Sequence, residues 1–171
     1  MARREYVSQV AIEATSRTPK DVEYLRREIR SGRVREHAYA TLVGLKTYDT
    51  VKLLERVEAG LTYRAFERLR TNLNLSMNRL ADLLRIPPRT LARRKAQGRL
   101  LPAESDRLLR LSRIVSRTLD LFEGDFHTAR AWLFNPQLAL GGSKPIEFAK
   151  TDLGSREVED LIGRLEHGIP A

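Results

Sequence analysis

The sequence predicts an all-α protein, and three observations carry that expectation. Apolar residues recur at spacings of three and four along almost the whole chain, no segment sustains period-two alternation between hairpin turns, and glycine and proline fall where helices should stop and start. A chain of 171 residues has room for one or two small domains, and 42% hydrophobic with 31% charged residues gives an ordinary core rather than a solvated, disordered chain. The absence of cysteine removes disulfides, thiolate zinc sites and a cysteine nucleophile, and fits a reducing compartment. The longest uncharged stretch, residues 131–143, is interrupted by Asn135, Pro136 and Gly141. It falls short of the roughly 20 apolar residues that cross a membrane. The basic N-terminus, Met-Ala-Arg-Arg-Glu-Tyr, is not followed by the apolar core of a signal peptide. No membrane association and a cytoplasmic location are expected.

In order along the chain, Thr18, Pro19 and Asp21 start a helix with Val22, Leu25 and Ile29 as its stripe, and Gly32 ends it. This segment reads as an appendage. A short helix around residues 35–43 and another over residues 49–58, with Val51, Leu54 and Val57 inward, are closed by Gly44 and Gly60. Thr62 should cap a helix presenting Phe66, Leu69 and Leu73. Pro102, with Glu104 and Asp106 in the first turn, opens a long helix striped by Leu108, Leu111, Val115, Leu119 and Phe122 that joins the two halves. Asp125 caps a helix carrying Ala129, Trp132 and Leu133. Residues 135–144 form a loop, and Ser155 caps a last helix with Val158, Leu161, Ile162 and Leu165, stopped by Gly168.

The formal charge of +9 favours a polyanionic partner, and its distribution is uneven. Residues 61–113 hold 13 basic and 4 acidic side chains, whereas residues 114–171 hold 6 and 9, so the middle of the chain is strongly basic and the end mildly acidic. Inside the basic part, residues 76–94 have the form of a DNA-binding helix-turn-helix. Ser76 caps the first helix, Leu80, Ala81 and Leu84 face inward, Ile86 plugs the turn, Pro87 and Pro88 suit the start of the second helix, and Leu91 anchors it. Arg85 stands where many such turns have glycine. Arg89 and Arg93 share the outer face, and arginine matches the O6 and N7 acceptors of guanine in the major groove. Thr90 lies beside them, Arg94, Lys95 and Arg99 are expected on phosphates, and Ser76, Asn78 and Arg79 steady the DNA backbone. The bland alternative is a structural αα-hairpin with a solvated arginine face.

A set of ordered motifs then carries a family resemblance. They are Arg89-Thr90-Leu91-x-Arg93-Arg94 with Gly98-Arg99-Leu100, Glu104-Ser105-x-Arg107-Leu108-x-Arg110, Ala131-Trp132-Leu133-x-x-Pro136, Leu138-Ala139-Leu140-Gly141-Gly142-x-x-Pro145, and Val158-x-x-Leu161-Ile162-Gly163-Arg164-Leu165-Glu166-x-Gly168. From about Gly44 onward the chain resembles the Xre/MbcA/ParS-like antitoxins of bacterial toxin–antitoxin pairs. Ser143 stands where that family often has a basic residue. The resemblance implies an Xre-like DNA-binding domain over residues 44–112 that represses its own operon, and a toxin-binding domain over residues 113–171. Residues 1–43 are left as a helical extension of unassigned role. It further implies a cognate RES-domain toxin that depletes NAD, and an antitoxin that has no catalysis and no cofactor of its own. Operator DNA and a second copy of the chain complete the expected partners, because two-fold dimers read paired half-sites.

For toxin contact the expected parts are Asn135, the Gly141-Gly142 turn, Lys144, Glu166 and the tail Gly168, Ile169, Pro170 and Ala171. Trp132 is a further candidate anchor, although Trp132, Leu133 and Leu140 also suit the core of a small helical domain. An enzyme reading lacks a site. His37, His127 and His167 are too scattered for metal ligation, Asp125 is accounted for as a cap, and Gly141-Gly142 lacks the lysine and hydroxyl of a phosphate loop. A stand-alone helix-turn-helix transcription regulator with a small ligand is the alternative.

Overall fold

The computed structural model describes residues 18–32, 34–46 and 49–169, and among these it is helical with no strand. Residues 1–17 of the expected N-terminal extension lie outside the described residues. The order is α1 (Lys20–Arg30), a 3₁₀ turn (Ala38–Val43), α2 (Thr50–Glu58), α3 (Tyr63–Asn72), α4 (Met77–Leu83) and α5 (Pro88–Gln97). Then follow α6 (Pro102–Leu121), α7 (Phe126–Phe134), a second 3₁₀ turn (Leu138–Leu140), α8 (Pro145–Phe148) and α9 (Asp152–Glu166).

Local chemistry sets most of these boundaries. The carboxylate of Asp49 accepts from the Lys52 amide at 2.9 Å, Ser76 Oγ from the Arg79 amide at 3.2 Å, and Asp125 from the His127 and Thr128 amides at 3.0 and 3.2 Å. Each contact satisfies an N–H that the first helical turn leaves without a partner. Pro88 and Pro102 occupy first-turn positions, where a missing N–H costs nothing. Between α2 and α3 the chain runs against the segment leaving α5. Leu100 N donates to Leu61 O and Tyr63 N to Gly98 O, both at 2.8 Å. At Gly60, where φ is +80°, a Cβ would stand 2.2 Å from the Leu100 carbonyl oxygen, so only glycine fits this crossing.

One continuous core joins the N-terminal and C-terminal parts of the described fold, and a small second cluster packs against α2. Val22 and Leu25 of α1, Leu42, Phe66, Leu69 and Leu80 join Leu108, Ile114 and Leu119 of α6, Trp132 and Leu133 of α7, and Val158, Leu161 and Ile162 of α9. The first helix is therefore no appendage: its apolar stripe is buried, and Asp21 takes Arg68 at 2.6 and 2.7 Å and the Asn72 amide at 2.9 Å. Burial raises the Asp21 pKa, but the hydrogen bonds from Arg68 and Asn72 outweigh it and hold the carboxyl below its ordinary value. The 20-residue α6 crosses position 112/113 without a break.

Three local expectations are corrected and one short helix is added. On α2 the buried residue is Leu53, packed with Tyr39 and Ala40, while Val51 and Leu54 point to solvent. Thr62 precedes α3 but its hydroxyl makes no cap bond. The last helix begins earlier than Ser155: Thr151 caps it through the Gly154 amide at 3.0 Å, and buried Ser155 instead donates to Ala149 O and Thr151 O. Residues after Lys144 form the short α8, which periodicity is too short to reveal.

Candidate functional site

Helices α4 and α5 form the helix-turn-helix that the spacing predicts. Leu80, Ala81, Leu84, Ile86 and Leu91 are all buried. The turn between them is tight, with Arg85 in the left-handed region at φ +54°. On α5, Arg89, Ala92, Arg93 and Ala96 form the solvent face, and Leu91 and Arg94 form the inner one.

The inner position of Arg94 corrects its assignment to phosphate. Arg94 is 4% exposed and its Nε donates to Glu104 Oε2 at 2.7 Å, while the same carboxylate oxygen accepts from the Leu101 amide at 2.8 Å. This pair locks the recognition helix to the start of α6. Other basic residues of the middle third are also committed internally. Arg107 donates to Leu84 O at 2.7 Å, Arg70 to Leu75 O at 3.2 Å, and Arg99 to Ala59 O at 2.7 Å, although Arg99 stays exposed. Arg79 lies between Asp82 and Glu147, so it too is engaged.

What remains is concentrated. Arg64, Arg85, Arg89, Arg93 and Lys95 are exposed and pair with no carboxylate among the described residues. All lie on α5, in the turn before it, or beside the Tyr63–Gly98 contact at its C-terminal end. Unneutralised cations gathered on one exposed helix and the segments beside it make the electrostatic footprint that a phosphate backbone requires. Arg64 was invisible from sequence because only the pairing of residues 61–63 with 98–100 brings it there. Ser76 acts as the cap of α4, Asn78 is exposed, and Thr90 is half-buried.

The second region of interest is the loop over residues 135–144. Gln137 N donates to Ser143 O at 3.0 Å, Gly142 N to Gln137 O at 3.0 Å and Gly141 N to Leu138 O at 3.0 Å, which closes the loop on itself. Gly141 and Gly142 have φ of +62° and +79°, and nothing lies within 4 Å of where a Cβ would be. Asn135 and Lys144 are exposed. Trp132 is not a contact residue: it is 3% exposed, with its ring 6.4 Å from that of Phe122, and belongs to the core. Glu166 is exposed and pairs with Arg117 at 3.4 Å; Gly168 and Ile169 are exposed, and Pro170 and Ala171 lie outside the described residues.

Beneath this loop, α8 meets α4. Glu147 receives Arg79, and Lys150 bridges Asp82 at 2.8 Å and Glu147 at 2.7 Å. The Lys150 ammonium holds the Asp82 carboxyl below its ordinary value. For Glu147 burial acts upward, but Lys150 and Arg79 together outweigh it and the net shift is down. The two carboxylates in turn raise Lys150. Among the described residues no group of histidines and carboxylates is arranged to hold a metal ion, and no helix is long and apolar enough to cross a membrane.

Comparison with known proteins divides the chain at the same two regions. Residues 52–113 match the antitoxin Xre-like helix-turn-helix domain, and residues 118–168 match the antitoxin Xre/MbcA/ParS C-terminal toxin-binding domain. An antitoxin Xre from Yersinia enterocolitica is 33% identical over 128 residues, covering 74% of this chain and 86% of the relative. An antitoxin Xre from Photorhabdus laumondii is 38% identical over 92 residues, 52% of this chain and 62% of that one. A Prs ADP-ribosylating antitoxin from Sphingobium is 24% identical over 140 residues, 77% of this chain and 86% of that protein. Both matched domains are binding modules, one implying DNA and the other a cognate toxin. Since its helix-turn-helix and its C-terminal part match in order, and a third of the positions are identical across most of the Yersinia relative, the chain belongs to the Xre antitoxin family.

Proposed function

We propose that this antitoxin neutralises a RES-domain toxin that degrades NAD, and represses its own operon by binding operator DNA as a homodimer in the cytoplasm. The single observation that carries the reading is the segregation of surfaces. Within the basic middle third the unpaired cations gather around α5, and the exposed, internally bonded loop 135–144 stands in the part matched to a toxin-binding domain. In this reading Arg89 and Arg93 reach guanine edges, with Arg64, Arg85, Lys95 and Arg99 on phosphates. A dimer is favoured by the small number of base pairs one helix-turn-helix reads. An NAD-consuming partner is favoured by the name of the Sphingobium relative, which ties an antitoxin of this kind to ADP-ribosylation, a transfer that draws on NAD.

On the toxin side the contact surfaces would be the loop 135–144, Glu166 and the tail from Gly168 to Ala171, with residues 113–171 as the toxin-binding half and residues 44–112 as the DNA-binding half. The chain itself supplies neither catalysis nor a cofactor. Co-expression with the product of the adjacent gene tests the reading. Cellular NAD should fall with that product alone and recover when this chain is present. Deleting residues 168–171 should weaken the recovery while leaving DNA binding intact. An adjacent product that neither binds the chain nor lowers NAD would remove the toxin assignment.

A further inference from the structure

Leu138 is the most exposed large apolar side chain among the described residues, at 95%. The fold does not require a leucine there. Leu138 begins the 3₁₀ turn Leu138–Leu140, and the next residue but one, Leu140, is 5% exposed and anchors the turn to the core. The backbone around it is satisfied from within: Ser143 N donates to Leu140 O at 3.1 Å, and Gln137 Nε2 to Trp132 O and Asn135 O, both at 3.2 Å. Buried Pro145 and Ile146 hold the loop from the other side. A polar residue at 138 would leave all of these contacts in place.

Resting on the toxin reading above, we propose that Leu138 is the anchor by which the antitoxin docks, a fixed apolar knob that enters a leucine-sized apolar socket on the toxin. The knob is pre-formed, so little loop entropy is lost on association. Beside it Gly141 and Gly142 present bare backbone with open space in front, which lets a partner surface close around the leucine without meeting a side chain. The loop lies inside the region matched to the toxin-binding domain, which favours the toxin over a second copy as the occupant. A side chain that fills a well-packed, desolvated pocket near the centre of an interface carries a large share of its energy, with the surrounding contacts excluding water.

The experiment uses the full chain, its Leu138→Ala and Leu138→Asp variants, and the purified product of the adjacent gene as the probe. Leu138→Ala should weaken binding about tenfold to a hundredfold, and Leu138→Asp should abolish capture. Both variants should melt like the unsubstituted chain and bind DNA unchanged, because the side chain is almost fully exposed. Unchanged capture by Leu138→Asp overturns the inference and leaves the toxin reading standing. A smaller sedimenting species for Leu138→Asp with unchanged toxin affinity assigns the knob to a second copy and overturns it equally. If the unsubstituted chain captures nothing, the toxin reading falls and the inference with it.

Discussion

Adjacent arginines on α5 do opposite work, and their chemistry separates them. Arg93 is exposed and unpaired, so Arg93→Ala should change stability by less than about 0.5 kcal/mol while costing about 1–3 kcal/mol in binding to the preferred operator sequence. Arg94 is buried on Glu104. Arg94→Ala leaves a buried carboxylate with no cation and should cost about 3–5 kcal/mol of stability, read by urea unfolding. An Arg94→Ala protein as stable as the parent would refute the buried pair. The signal was present in the sequence, since Arg94 lies three residues after Leu91 and shares its face, but a charged residue in a basic segment is read as solvated by default. Arg85 makes a third case. At φ +54° its Cβ is strained, and glycine there should gain about 0.5 kcal/mol after its greater unfolded-state entropy is subtracted. The same Arg85→Gly change removes a free cation, so the slope of log affinity against log salt should fall by about one in a fluorescence anisotropy titration.

Between elements, the junction of α4 and α8 is ionic, and its pH dependence follows from the directions of its shifts. Asp82 and Glu147 are held below their ordinary values of 3.8 and 4.5. Carboxyls of depressed pKa bind fewer protons folded than unfolded, so their contribution is complete above the unfolded values and is lost as pH falls through the folded ones. Raised Lys150 contributes fully at every pH below 10.5 and adds no slope in that range. The melting temperature should therefore drop as pH falls below about 5. Glu147→Gln should melt lower at pH 7, with the gap to the parent narrowing as pH falls below 4.5. A constant gap between the two across that range would refute the assignment. None of this junction was legible beforehand, because the partners are 68 residues apart and periodicity reports only local structure. Caps such as Ser76 and Asp125 were legible, as their partners sit two or three residues away. The facing of α2 was not, since a short helix with apolar residues on two sides is oriented by its neighbours, here Tyr39 and Ala40 around Leu53.

At the scale of the molecule, two functional surfaces share one core, which decides how they can be separated. Sequence and family matches both divide the chain near residue 113, yet α6 runs unbroken through that point. Val22, Leu42 and Leu73 from the N-terminal side pack around the same space as Val115, Leu119, Phe126 and Leu133 from the C-terminal side. Arg110, Arg113 and Arg117 along α6 reach Asp152, Glu159 and Glu166 along α9 at 3.2, 2.8 and 3.4 Å. Exposed pairs of this kind add little stability individually, so the ion pairs set the register of the two helices and the apolar contacts supply the energy. Burying each large apolar side chain contributes about 1.5–3 kcal/mol, against a total stability of about 5–15 kcal/mol for a domain. A fragment ending at residue 112 loses Ile114, Val115, Leu119, Trp132, Leu133, Leu161 and Ile162 together and should not hold the helix-turn-helix in place. Circular dichroism should show it largely unfolded with no cooperative melt, and operator binding should be lost. A cooperative transition with retained DNA binding would instead make the helix-turn-helix an independent folding unit. The two activities should then be separated by point changes in the intact chain: Arg89→Ala with Arg93→Ala should end operator recognition and leave toxin capture, and Leu138→Asp should do the reverse.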